Sequence, residues 1–103
     1  MNVSSVLFLL LKSPHEFGEG THLLSQVHGK RKSAALLFED AALFAVDAKR
    51  SKVLLDTVDQ AYVMKDDLAA RGFAGKALPG FKEIDYSEAV DLIMERYDQT
   101  ITL

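Results

Sequence analysis

The chain has 103 residues, 49% apolar and 26% charged, which suits one folded domain over residues 1–103 with a single core. Its net charge of −3 supplies no basic face, so direct nucleic-acid binding is not expected. It contains no cysteine, which excludes disulfides, thiolate metal sites and a cysteine nucleophile.

The first apolar run, Val6-Leu7-Phe8-Leu9-Leu10-Leu11, is far shorter than the ~20 residues of a bilayer helix. It has neither a basic segment before it nor a small-residue cleavage site after it, so the expected location is the cytoplasm, with no membrane partner. An unbroken run of this kind reads as a strand covered on both faces. Lys12-Ser13-Pro14-His15 ends it in a polar turn, and Gly18 and Gly20 then loosen the chain. Thr21 is placed to cap a helix carrying Leu23, Leu24 and Val27, and Gly29 ends that helix. After the basic connection Lys30-Arg31-Lys32, residues 34–38 form a second apolar run. Asp40 is expected to cap a helix from Ala41 that holds Leu43, Phe44 and Val46. Ser51 is expected to cap another short helix, with Val53, Leu54 and Leu55.

Residues 61–64 read as the third strand, and Lys65 breaks their apolar run. Asp66 is expected to cap the next helix, and Asp67 to put a second negative charge at its positive end. Gly72 is expected to close it in the left-handed conformation. The loop of residues 72–80 contains Gly75, Pro79 and Gly80. Residues 81–85 alternate as a strand with one exposed side does, and Ser87 is the expected cap of the last helix. Val90, Ile93, Met94 and Tyr97 follow the spacing of one apolar helix face, the cleanest amphipathic pattern in the chain. Residues 100–103 read as a small terminal strand.

The alternation β-α-β-α-β-α-β-α predicts a three-layer α/β domain with flavodoxin-like layering. It should hold a mainly parallel sheet of four or five strands, with right-handed crossovers and helices on both faces. The polar turns after the strands then gather on one sheet edge, where open α/β folds bind ligands. Those turns hold Lys12 and Ser13, Asp40, Lys65 and Asp66, and Asp85 to Ser87.

None of the chemical motifs is complete. His15, His22 and His28 lack the spacing of a helical metal site, so no metal and no cofactor are expected. Ser13 has no nucleophile elbow around it and is followed by Pro14, as in an ordinary turn. Gly18-Glu19-Gly20 lacks the third glycine of a dinucleotide loop and the Gly-Lys-Ser/Thr of a P-loop. Lys30-Arg31-Lys32 and Lys49-Arg50-Ser51-Lys52 are short and carry no aromatic platform, which is the pattern of solvated surface. Asp66 and Asp67 are adjacent and do not face each other on a helix, so capping accounts for both without catalysis. Lys65 is different: no structural rule calls for a lysine directly after a buried strand on the ligand-binding edge.

Tyr62-Val-Met-Lys-Asp-Asp-Leu-Ala-Ala-Arg-Gly72, followed by Ile84-Asp85-Tyr86-Ser87 and the helix around Val90 to Met94, resembles the DsrH/TusB family of the DsrE-like superfamily. Leu11-Lys12-Ser13-Pro14, and Asp40 with Ala45-Val46-Asp47, match as well. The resemblance implies a DsrE/F-like fold and assembly with DsrE/TusD-like and DsrF/TusC-like subunits. It implies a complex that passes persulfide sulfur toward 2-thiolation of the tRNA wobble uridine, or serves intracellular sulfur oxidation. In the cysteine-bearing sister subunits an apolar strand runs into a cysteine and then a small-residue helix ending Arg-Gly. Counting back from Arg71-Gly72 places that cysteine at about Met64. With no thiol, the chain cannot itself carry persulfide, so a non-catalytic subunit is expected. Lys12, Ser13, Asp40, Lys65, Asp66 and Tyr86 are its candidate binding or interface residues. The alternative is a stand-alone homo-oligomeric domain of the same fold that binds a small molecule or anion.

Overall fold

The computed structural model describes residues 5–17, 20–27 and 29–103. Strand β1 (Ser5–Leu10) is the unbroken apolar run, and it pairs with a strand on each side. Central position explains its composition: Val6, Leu7, Phe8 and Leu10 are all fully buried. A one-turn helix, α1 (Pro14–Phe17), and α2 (Gly20–Val27) lead to β2 (Lys32–Leu37). A 3-10 helix at Glu39–Val46 and α3 (Ala48–Thr57) lead to β3 (Gln60–Met64). Then come α4 (Lys65–Ala70), β4 (Phe81–Ile84), α5 (Tyr86–Asp91) with a π-helical continuation at Leu92–Arg96, and β5 (Gln99–Thr102). The sheet order is β4-β3-β2-β1-β5, with every pairing parallel, so the terminal strand is real and forms an edge.

The chain steps outward from β1 to β4 and then returns to the far side of β1. Right-handed crossovers put the first three connections on one face and the last on the other. The packing agrees. Leu24 of α2, Phe44, Leu54 of α3 and Leu68 of α4 join Val6, Phe8 and Leu37 in one core. Ala89 and Leu92 pack on Leu7, Leu36, Met64 and Ile84 of the opposite face. The expected three-layer α/β architecture is therefore the one observed.

Local details depart from the sequence reading. Asp47 caps α3, its Oδ1 accepting from the Lys49 and Arg50 amides at 3.1 and 3.0 Å. Ser51 lies inside that helix, buried, with its hydroxyl donating to the Ala48 carbonyl at 3.1 Å. Asp85, not Ser87, caps α5 by accepting from the Glu88 amide at 2.8 Å. Each acting cap stands directly before its helix, where a carboxylate reaches the unpaired N–H groups two or three residues on. Asp40 and Asp66 do not cap either: the positions before their helices are Phe38 and Met64, and neither makes a side-chain cap bond. Thr21 falls within α2, which begins at Gly20; its side chain lies outside the described residues.

The segment after β2 winds more tightly than the expected α-helix. At three residues per turn, Ala41 aligns with Phe44 and Ala42 with Ala45. All four are buried, while Leu43 and Val46 are half-buried, Val46 still packing against the core. From Ala41 to Val46 the sequence is apolar throughout, so it carries no period by which the winding could be read. The last helix differs as well. Its buried residues are Ala89 and Leu92, whereas Val90 is 42% and Met94 74% exposed. Ile93 and Tyr97 are only partly covered. The predicted stripe is thus rotated outward, because α5 needs only a narrow line of contact on one side of the sheet.

Candidate functional site

Parallel pairing brings the strand-end turns to one edge, and the residues singled out by sequence can be placed there. Met64 ends β3 but is 4% exposed, packed in the second core with Leu36, Ile84, Ala89 and Leu92. Its side chain lies beneath Ala89 and Leu92 of the last helical segment. Lys65 opens α4 and Asp66 follows in the first turn, both exposed. Tyr86 opens α5 and is 71% exposed.

Ser13 does more than turn the chain. Its hydroxyl donates to Glu16 Oε1 at 3.2 Å, and the Glu16 amide points back at it, at 3.4 Å. With Pro14 at the first helical position, Ser13 stands as the N-cap of α1, its hydroxyl rather than its amide meeting the Glu16 carboxylate. Arg50 Nη1 donates to the Pro14 carbonyl at 2.6 Å, tying α3 to the turn after β1. A hollow of about 210 Å³ lies between Ser13, Pro14, Leu43, Asp47 and Arg50. Lys12 is exposed beside it. Because strand order reverses across β1, the switch point where open α/β sheets hold ligands falls at this turn, not at the end of β3.

The turns after β2 and β3 are joined through Arg71 and Asp67, which the sequence had marked only for the helix end and the helix dipole. Arg71 donates to Asp40 Oδ1 through Nε at 3.1 Å and Nη2 at 2.8 Å, and to the Asp67 carbonyl through Nη1 at 3.1 Å. Asp67 Oδ2 accepts from the Glu39 amide at 2.8 Å, and its Oδ1 lies 3.8 Å from Arg71. Glu39 is held at φ +49, the only described residue other than glycine in the left-handed region. That conformation costs a non-glycine residue ~1 kcal/mol, and the Asp67 bond at its amide offsets it. Gly72 then closes α4 as expected: its amide reaches the Ala69 carbonyl at 3.0 Å, and the Phe73 amide reaches Leu68 at 2.8 Å, with Gly72 at φ +83. The Arg-Gly pair therefore braces two adjacent turns and ends a helix. The signal for this was present in Asp67-Leu68-Ala69-Ala70-Arg71, an i, i+4 acid–base pair, but the contact with Asp40 has a separation no local rule reaches.

A cavity of about 670 Å³ opens at the opposite, N-terminal edge, beside Ser5, Lys32, Asp59, Tyr62, Arg96 and Tyr97. Burial, and then a hydrogen bond with Tyr62, push the Tyr97 phenol above its ordinary pKa, so it stays neutral across the physiological range. Among the described residues no group of three or more His, Asp or Glu is placed to hold a metal. His28 and the Gly18-Glu19 lead-in lie outside those residues, as do the side chains of His15 and His22. No helix among them is long and apolar enough to cross a membrane.

These features define a class: an all-parallel three-layer α/β domain whose strand-to-helix turns are braced by Arg71 and carry no thiol. The chain belongs to the DsrH family; the family model described as "DsrH like protein" matches residues 12–99. It is thereby a sulfur-relay subunit in the general sense of that family. No curated protein matches it by sequence.

Proposed function

We propose that the chain is a non-catalytic, cytoplasmic subunit of a DsrEFH/TusBCD-like complex. Its partners are DsrE/TusD-like and DsrF/TusC-like subunits, which carry the persulfide and pass its sulfur toward 2-thiolation of the tRNA wobble uridine. The observation that carries this reading is the state of the β3–α4 junction. The Asp40–Arg71–Asp67 bracing and the Gly72 closure are intact, while Met64 fills the core at about the position of the partners' cysteine. A thioether forms no thiolate and accepts no persulfide. Architecture and contact are what this junction can still supply, with Lys12, Ser13, Asp40, Lys65, Asp66 and Tyr86 as the residues available at that edge.

Purification from the native host tests the assembly. Co-elution with cysteine-bearing DsrE- and DsrF-like chains is expected; a clean homo-oligomer without them would sink the reading in favour of a stand-alone binding domain. Nucleoside mass spectrometry of a deletion strain tests the pathway. Loss of wobble 2-thiouridine is expected, and an unchanged level with impaired sulfur oxidation assigns the complex to the latter.

A further inference from the structure

Among the described residues, the second face of the sheet is only partly covered, with its β5 edge the most exposed. α5 and its continuation cover Leu7, Leu36, Met64 and Ile84, and on the β4 side Glu88 pairs with Lys82 at 3.9 Å and shares a crevice with Tyr62, Ile84 and Leu92. Over β5 the same face presents Thr100 and Thr102, which register with Leu7 and Leu9 and are exposed. Leu9 and Phe38 are only partly covered. Tyr86 and Val90 stand about 160–200° around the helix from Glu88, so they lie on the flank turned away from β4. Tyr86 is 71%, Val90 42% and Met94 74% exposed, on successive turns. Single exposed apolar side chains are ordinary; three in line on a helix beside the exposed β5 edge form a patch of the kind that marks contact sites.

We infer that this ridge, with Leu9 and Phe38 beside it, docks a different protein chain that presents an apolar groove edged by Lys or Arg. The inference rests on the reading of this chain as a subunit. Charge selects this occupant over a second copy. Asp91 and Glu95 are exposed along the outer side of the ridge. A two-fold pairing through the ridge would set these carboxylates against their own copies, whereas a basic rim would pair them. The three ridge side chains alone fall short of the ~800 Å² that each partner buries in a stable interface. The partner must therefore extend from the ridge over Leu9, Phe38 and the β5 edge.

The test titrates the full chain with the DsrE- and DsrF-like subunits as the probe. In Val90→Glu/Met94→Glu, circular dichroism and Tm should match wild type, and Kd should rise at least ~10-fold. Tyr86→Ser, at the first position of α5, should weaken binding without touching the helix interior. Asp91→Lys/Glu95→Lys should also weaken it, with the difference shrinking at high salt. If wild type binds and the ridge variants bind equally well, the docking surface is overturned and the subunit reading stands. If wild type binds neither subunit, both are overturned. Tighter binding by Asp91→Lys/Glu95→Lys overturns the basic rim. A wild-type dimer in sedimentation that the ridge variant abolishes makes the occupant a second copy and overturns the inference.

Discussion

Arg71→Met separates bracing from mere surface charge at the strand-end site. Methionine keeps an apolar stem but removes all three donated bonds. The Asp40 carboxylate is 58% exposed, so its ion pair contributes only ~0.5 kcal/mol despite good geometry. The bond to the Asp67 carbonyl is part-buried and comes from a charged donor, for ~1 kcal/mol. The expected loss is ~1.5 kcal/mol, which for a domain of this size lowers Tm by ~6–12 °C. Urea unfolding and calorimetry read both quantities. Asp40→Asn removes only the exposed pair and should cost ~0.5 kcal/mol or less. Arg71→Lys keeps the charge without the planar fork and should recover less than half of the loss. An Arg71→Met variant within ~0.3 kcal/mol of wild type, or an Asp40→Asn variant that loses as much as Arg71→Met, refutes the bracing role.

Leu92→Ala should cost ~2–3 kcal/mol and Met94→Ala under ~0.5 kcal/mol in urea unfolding; equal costs would mean that α5 is not rotated as described. The Ser33 hydroxyl is buried with no hydrogen-bond partner among the described residues, so Ser33→Ala should be neutral or gain up to ~1 kcal/mol; a clear loss would reveal a partner for it. Lys65→Glu puts a carboxylate at the start of α4, where the helix dipole tolerates it, so Tm should hold while binding to the partner subunits weakens. Unchanged affinity by titration calorimetry would remove Lys65 from the interface.

The strands were the most legible part of the chain. An unbroken apolar run can only be a strand or helix covered on both sides, and the nearby Pro14 favours the short element. Gly72 was legible for a similarly local reason, since a helix end needing positive φ selects glycine. Caps were harder to place. The sequence offers an acid or serine at several adjacent positions, and which one acts depends on the residue at which the helix starts, fixed by docking on the sheet. Asp47 and Asp85 acted where Ser51 and Ser87 were expected. The tight winding of Glu39–Val46 was not legible at all, because every position from Ala41 to Val46 is apolar and the period is set by contact with the sheet.

Apolar runs, turn residues and motif order are local and additive, so the layered α/β architecture, the lack of a thiol and the family are legible in the chain alone. Tertiary structure decided what the key residues do. It joined Asp40 to Arg71 across a separation of 31 residues, pressed Met64 into the core beneath α5, and turned Val90 and Met94 outward. Each of these depends on which elements become neighbours. Neighbourhood follows from strand order and crossover hand, which act on the whole chain at once.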